Sequence, residues 1–359
     1  MEFIIQDALK SQEENEKANT VFPVGQANIK VVGVGGGGGN ATSWLYKKGI
    51  QGAEVIAVNT DKQHLDVHEA DKKILVGKDI TKGLGAGGYP NVARDAAKES
   101  ITELKESIKG SDMVFVCAGL GGGTGTGIAP VIAQVAREIG AIVVGTVTMP
   151  FNIERARIDK AEFGLQQLRQ VCDSVIVIDN NRLVNIAGNL PIGQAFAVAN
   201  ELISTMIKGI VETIAIPSLV NLDYADVRAI MKSGGVCAVG VGESDRKDAR
   251  VEEAVRRAMN NPLLDVSYEG AGGALIHVSG GPDLTLEEVS KIGELVTQGL
   301  DPDANVIWGA RVDDSMRGKL RVMTIVAGVN SPYILGKTDP TKPSQEIRAM
   351  SRELGIDLL

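Results

Sequence analysis

Short apolar runs alternate with amphipathic stretches along residues 28–180. The runs are nearly continuous in valine, isoleucine and alanine, which is typical of strands buried on both faces of a parallel sheet. The stretches between them repeat apolar residues at helical spacing. We therefore predict a doubly wound α/β fold with a parallel, Rossmann-like sheet. The predicted strands are 28–35, 53–61, 72–77, 112–119, 141–150 and 174–180. One predicted helix ends near Leu45, and two others cover 91–108 and 129–140.

Residues 192–215 form a longer stretch with helical periodicity. Its apolar residues recur three and four apart, and others lie off that stripe, which predicts a helix buried between two domains. Strands and helices then alternate again in a smaller α/β unit. We predict an N-terminal extension at 1–27, a first domain at 28–191, a central helix at 192–216, a second domain at 217–330 and a tail at 331–359.

Composition narrows the class of protein. The 359 residues carry a net charge of -8 without a cluster of lysine and arginine, which disfavours nucleic-acid binding. No apolar run approaches the roughly 20 residues that span a bilayer, so we expect no direct membrane insertion. The N-terminal residues are too charged for a secretory signal. Cys117, Cys172 and Cys237 lie far apart in apolar stretches, which predicts reduced core thiols and a cytoplasmic protein.

Three glycine-rich segments are the candidate phosphate-binding loops of the first domain. GVGGGGGN at 33–40 and GGGTGTG at 121–127 each follow a predicted strand and precede a predicted helix, a context in which backbone N–H groups bind phosphate. Because both leave the carboxyl edge of one sheet, we expect them to converge on a chain of phosphates, with the hydroxyls of Thr124 and Thr126. The third segment, LGAGGYP at 84–90, could close over the terminal phosphate.

A nucleotide-dependent oxidoreductase is the natural rival. The first segment contains the G-x-G-x-x-G pattern, and Asp61 ends the next predicted strand where such folds bind ribose. A dinucleotide fold, however, needs only one glycine loop. The G-x-x-x-x-G-K-[ST] phosphate loop does not occur in the chain.

Two aspartates mark the start of a predicted helix in the second domain. Asp223 and Asp226 lie three residues apart, so both carboxylates project to one side. Helix capping and catalysis account for the pair equally well on residue types alone. Of the histidines, His64 and His68 are expected to form an exposed pair without a third metal ligand, and His277 to be a hydrogen-bonded core residue.

The motifs together resemble the tubulin/FtsZ family. After GGGTGTG, the segments GGGGGN, VNTD, LGAGGYP, MPFNIERAR, DNNRL, AFAVANEL and NLDYADVRAIM follow the family's pattern over roughly residues 28–330. Within the family the chain is most similar to the second of two archaeal FtsZ paralogues. The resemblance implies a GTP-binding first domain, a second domain that stimulates hydrolysis, and GTP, GDP and Mg²⁺ as ligands, the ion being held mainly by the phosphates.

The resemblance also implies roles for individual residues. The phosphate loops would comprise Gly36, Gly37, Gly38, Gly39 and Asn40, then Ala86, Gly87 and Gly88, then Gly121, Gly122, Gly123, Thr124, Gly125, Thr126 and Gly127. Glu154, Arg157 and Asn180 would contact ribose and nucleoside, with Arg157 three residues after the glutamate where the family has four. Phe196 would stack on guanine, and Asn40 and Asn200 would face the base. Asn221, Asp223 and Asp226 would be catalytic in the site of the adjacent subunit.

The resemblance further implies how the protein works in the cell. It would polymerise head to tail with itself at the mid-cell division ring. Its expected partners are the other FtsZ paralogue and a membrane-tethering protein that binds the tail, whose apolar end RELGIDLL could equally dock on its own domain. A tubulin-family scaffold that polymerises with slow or no turnover is the alternative.

Overall fold

Six parallel strands form the larger sheet, in the spatial order β3-β2-β1-β4-β5-β6. The computed structural model describes residues 27–216, 218–232, 236–246, 248–261, 263–264 and 266–331. Apart from residues 27 and 331, the predicted N-terminal extension and tail lie outside the described residues. The strands are β1 (Ile29–Val34), β2 (Ala53–Asn59), β3 (Lys72–Leu75), β4 (Met113–Gly119), β5 (Ile142–Met149) and β6 (Ser174–Asp179).

Helices cover both faces of this sheet, as the doubly wound prediction requires. They are α1 (Gly35–Lys48), α2 (Lys62–Val67), α3 (Lys78–Thr81), α4 (Pro90–Glu99), α5 (Ile101–Ile108), α6 (Thr124–Glu138), α7 (Ala156–Val171) and α8 (Asn180–Ala187), with a 3₁₀ turn at Asn152–Glu154. Two helices begin earlier than predicted, since the glycines of the first and second segments form helical turns. The predicted helix 91–108 is two helices, because the backbone leaves helical geometry at Ser100.

A 24-residue helix, α9 (Ile192–Ala215), joins the two domains. Its buried side chains belong to one apolar cluster with residues of the larger sheet and of the second domain, so it is packed on both sides as predicted. At 1.5 Å per residue it is about 36 Å long, enough to cross the whole sheet.

The second domain is a four-stranded mixed sheet in the order β7-β10-β8-β9. Only β8 and β9 run parallel. Its elements are α10 (Tyr224–Lys232), β7 (Cys237–Ser244), α11 (Arg250–Met259), β8 (Gly273–Gly280), α12 (Leu286–Thr297), β9 (Asn305–Val312), a 3₁₀ turn at Asp314–Met316 and β10 (Leu320–Ala327). In the part of the chain that the structure describes, no helix is long and apolar enough to cross a membrane.

Candidate nucleotide site and acidic pair

The first and second glycine segments meet at the centre of the larger sheet. β1 and β4 are neighbours, with Val34 opposite Ala118, and the chain order reverses between them. The carboxyl side of such a switch point is where α/β sheets bind ligands. The segments are in direct contact, because a Cβ on Gly35 would lie 3.0 Å from the nitrogen of Gly125 and 3.2 Å from the Cβ of Thr124.

Close packing of α1 on the sheet explains why glycines open this helix. A Cβ on Gly38 would lie 2.1 Å from the carbonyl oxygen of Cys117, which no side chain can tolerate. Glycine disfavours a helix interior by up to about 1 kcal/mol, so tertiary packing overrides the local preference. The absence of side chains thereby allows the start of α1 to pack closely against the second glycine segment.

The two threonines of the second segment have different partners. Thr126 is 3% exposed, and its hydroxyl accepts the Gly121 N–H at 2.9 Å. Its hydroxyl oxygen therefore shapes the loop, and the expectation that both threonine hydroxyls hold phosphate stays a prediction. Thr124 is half-buried, with its Oγ1 2.8 Å from that of Thr60 at the end of β2. Thr60 did not figure in the sequence analysis, although VNTD contains it.

The third glycine segment folds against the second. A Cβ on Gly123 would lie 2.9 Å from the Tyr89 nitrogen and 3.0 Å from the Ala86 Cβ. Lys160 fixes this arrangement from α7, because its Nζ donates to the Gly88 carbonyl at 2.9 Å and stands 5.6 Å from the centre of the Tyr89 ring. Lys160 was not predicted from the sequence, because it lies outside the glycine segments and the motifs.

An ion pair lies beside these loops. Arg157 Nη1 donates to Glu154 Oε2 at 2.7 Å, so the three-residue spacing does place both side chains together. Glu154 also accepts the Phe151 N–H at 2.9 Å. The backbone of Arg157 packs on Gly121, whose added Cβ would lie 2.7 Å from the Arg157 carbonyl oxygen. The pair is thus continuous with the second glycine segment.

The candidate base-binding residues lie around the start of α9. Phe196 is 41% exposed and meets Phe151 edge-to-face, with ring centres 6.1 Å apart. Asn200 is half-buried one turn further along α9. Asn180 begins α8, and its neighbour Asn181 accepts the Asn152 N–H at 2.8 Å, tying α8 to the turn that carries Glu154. Asn181, the second asparagine of DNNRL, was also missed.

The acidic pair lies at the opposite edge of the sheet from the glycine segments. The Tyr224 hydroxyl donates to the carbonyl oxygen of Asp112, the residue before β4, at 2.5 Å. The second glycine segment follows Gly119 at the other end of that strand. At about 3.3 Å per residue, a seven-residue strand separates the two by roughly 20 Å. Asp223 and Asp226 therefore do not share a site with the glycines of their own chain.

The two aspartates also cap their helix reciprocally. Asp223 Oδ1 accepts the Asp226 N–H at 2.8 Å, and Asp226 Oδ2 accepts the Asp223 N–H at 3.2 Å. Each carboxylate uses one oxygen in these bonds. Asn221 and Asp223 are exposed, and Asp226 is half-buried. The loop is anchored on the second sheet, where Val220 pairs with Ala310.

The histidines differ from the expected pattern. His68 is only 4% exposed, which contradicts an exposed His64–His68 pair, and burial together with nearby His64 and Lys73 lowers its pKa. His277 is buried as expected, but among the described residues its ring makes one hydrogen bond, between Nδ1 and Ser279 Oγ at 3.5 Å, and its Nε2 has no partner there. Burial and the charge of Arg311 lower the pKa of His277 to about 4. Cys117 and Cys237 are buried as expected, whereas Cys172 is half-buried.

Comparisons with known proteins identify the family to which the chain is similar. The model of the tubulin/FtsZ family GTPase domain matches residues 28–188, and that of the FtsZ family C-terminal domain matches residues 235–330. Cell division protein FtsZ 2 of Methanocaldococcus jannaschii is 56% identical over 98% of this chain and 92% of its own length. The namesake from Halobacterium salinarum is 50% identical over 98% of this chain and 90% of its own length.

Solved structures show the same architecture. An empty FtsZ dimer of M. jannaschii superposes with a TM-score of 0.79 at 44% identity, over 92% of this chain and 98% of that one. A GTPγS-bound CetZ2 protofilament of Haloferax volcanii superposes with a TM-score of 0.74 at 22% identity, over 91% of this chain and 98% of that one, a likeness of fold.

Proposed function

The chain belongs to the tubulin/FtsZ family and is a GTPase of that family, and from this premise we propose that it assembles head to tail into protofilaments that hydrolyse GTP at the cell division site. The names of the FtsZ 2 relatives support the division role. The dimer of the M. jannaschii relative supports self-association.

One observation carries the head-to-tail arrangement. The glycine segments occupy the carboxyl edge of the sheet, and Asp223 and Asp226 lie at its amino edge, roughly 20 Å away. Stacking one subunit on the next brings the acidic pair of one onto the phosphate loops of the other. Such a heterologous contact does not close on itself, so it generates a filament.

The central helix relates the two halves of this divided site. Phe196 near its start lies at the carboxyl edge beside Phe151, which follows β5. Ala215 at its end packs against Gly52, which precedes β2 at the amino edge. Helix α9 therefore runs from the nucleotide side of a subunit to the segment that carries its acidic pair.

GTP fits the residues present. Many residues of these loops are glycines, because a Cβ there would collide with a neighbouring segment, and this leaves backbone N–H groups as the natural phosphate donors. Gly122, in contrast, has open space on its Cβ side. We infer that Gly36–Gly39, Ala86–Gly88 and Gly121–Gly127 bind the phosphates, that Glu154, Arg157 and Asn180 bind the ribose side, and that Phe196, Asn200 and Asn40 bind the base. Mg²⁺ would neutralise phosphate charge and be held mainly by the phosphates.

Hydrolysis then depends on the neighbour's loop. Phosphoryl transfer requires chiefly positioning and charge stabilisation. We infer that Asp223 and Asp226, each with one carboxylate oxygen outside the capping bonds, orient the attacking water, with the Asn221 amide beside them. The helix start that holds both acids is rigid because each carboxylate caps the other's N–H.

The same reciprocal caps favour the alternative, a GTP-binding scaffold with slow or no turnover. They give both aspartates a structural role that needs no catalysis. Light scattering with simultaneous phosphate release, comparing GTP with GDP, separates the two functions. We expect GTP alone to raise scattering and to release phosphate in proportion to assembly. Assembly without phosphate release would establish the scaffold, and release without assembly would refute the shared site.

Partners beyond the chain itself are proposed on the family resemblance. We propose a second FtsZ paralogue as a co-polymer and a tethering protein that binds the tail and holds the filaments at the membrane of the mid-cell ring. The tail lies outside the described residues apart from residue 331.

A further inference from the structure

A buried histidine ring lies directly beneath the first glycine segment. A Cβ on Gly39 would lie 2.2 Å from Cε1 and 2.4 Å from Nδ1 of His68, so the ring takes the space that a side chain at position 39 would need. His68 lies just after α2 and is 4% exposed. His68 is not among the residues proposed to contact GTP.

Within the described part of the chain, the ring makes one side-chain hydrogen bond, to Asn40. His68 Nε2 lies 3.2 Å from Asn40 Oδ1. An amide oxygen only accepts, so Nε2 is the nitrogen that carries the proton. Burial, with His64 and Lys73 nearby, lowers the pKa of His68, and the ring is therefore neutral at pH 7 with a single N–H.

This bond ties the orientation of the Asn40 amide to the protonation of His68 Nε2. The oxygen and nitrogen of a carboxamide point in opposite directions, and the exposed Asn40 could otherwise present either. With its oxygen held inward by His68, Asn40 presents its NH₂ group outward. The two amide orientations favour different purines, because at the six position guanine has an accepting oxygen and adenine a donating amine.

We propose that His68 is a positioning residue that sets guanine selectivity, by fixing the Asn40 amide so that its nitrogen donates to the six-position oxygen of guanine. The proposal rests on the proposed function, in which Asn40 faces the base. His68 belongs to none of the motifs that carry the family resemblance.

The test compares GTP with 2-amino-ATP, which keeps the two-position amine of GTP but carries an amine at position six. Competition against a fluorescent guanine nucleotide gives the ratio of the two affinities for each variant of the full chain. We expect His68→Leu to reduce the GTP preference about three- to tenfold, the effect of one net hydrogen bond. His68→Gln, whose amide can either donate to or accept from Asn40, should restore only part of this preference. The matched control His64→Leu, on the neighbouring exposed ring, should leave the ratio unchanged.

The outcomes separate this inference from the proposed function. If the wild-type chain prefers GTP and His68→Leu keeps the full preference, the inference is wrong and the guanine site stands. If the wild-type chain does not bind guanine nucleotides selectively, the proposed function fails first. Should His68→Leu not fold, nitrogen NMR of the wild-type ring decides, because we expect a neutral ring protonated on Nε2. A ring protonated on Nδ1 alone would overturn the proposal.

Discussion

The hydroxyl of Tyr224 donates to the carbonyl oxygen of Asp112 at 2.5 Å, and this bond holds the start of α10 against the amino edge of the parallel sheet. Asp223 and Asp226 sit at that helix start. The glycine segments leave the other edge, so the bond marks the physical separation of the two halves of the proposed active site.

Removing this hydroxyl should affect the acidic loop without affecting nucleotide binding. We expect Tyr224→Phe to lower the free energy of unfolding by about 1 kcal/mol, the net value of one hydrogen bond, with GTP affinity unchanged. Thermal melts and GTP titrations measure the two. Tyr46→Phe, on an exposed ring of α1, is the matched control and should change neither. A loss of GTP affinity in Tyr224→Phe would show that the two edges are not independent.

Two substitutions of Asp226 distinguish catalysis from capping. Asp226→Asn keeps a side-chain acceptor for the Asp223 N–H but loses the charge, whereas Asp226→Ala loses both. We expect both variants to lose hydrolysis by a factor that corresponds to about 2.7–4 kcal/mol, as for other charge-stabilising groups. Only Asp226→Ala should also lose about 1 kcal/mol of stability. Normal phosphate release by folded Asp226→Asn would leave capping as the role of this residue.

A pair of glycine substitutions tests the phosphate loops. A Cβ on Gly38 would collide with the Cys117 carbonyl at 2.1 Å, so Gly38→Ala should destabilise the fold by about 1–3 kcal/mol. Gly122 has nothing within 4 Å of its added Cβ, so Gly122→Ala should melt like the wild-type chain. If phosphates bind at this loop, Gly122→Ala should nonetheless weaken GTP binding at least several-fold. Unchanged affinity would argue against phosphate contact at Gly122.

Burial of neutral His277 predicts a specific loss of stability in acid. Its pKa is about 4 in the folded chain against 6.5 ordinarily, so its contribution is complete above pH 6.5. As the pH falls from 6.5 towards 4, only the unfolded chain takes up the proton, and the free energy of unfolding falls by up to about 3 kcal/mol. Melts of the wild-type chain and of His277→Gln over this window should diverge. Parallel pH profiles would mean that His277 titrates normally.

Buried strands were predictable from sequence, and helix boundaries near glycine were not. All six strands of the larger sheet lie within the predicted runs or within a residue or two of them, because nearly continuous apolar runs identify strands buried on both faces. The first turn of α1, which begins at Gly35, was predicted as the end of a strand followed by a glycine loop, since glycine is a poor helix former and only the packing of Gly38 on Cys117 reveals the helix. Helix α7 was missed, because no long apolar stripe marks it.

The family and the fold class predicted from the motifs are confirmed by the matches over both domains. The site was predictable as a set of motifs, because parallel topology brings segments that follow β1 and β4 to one edge. The contacts between side chains were not. His68 with Asn40, and Lys160 with Gly88, join residues 28 and 72 positions apart, and no local pattern encodes such partners. The residue roles and domain boundaries stay predictions.

The central claim is that each GTP is hydrolysed between two subunits. Its most direct test is the rate of phosphate release per subunit, measured at saturating GTP over a range of protein concentrations below and above the onset of light scattering. We predict a rate near zero at low concentration that rises with assembly to a plateau, since acids and phosphate loops meet only across a contact. A rate per subunit that stays constant across this range would contradict the account.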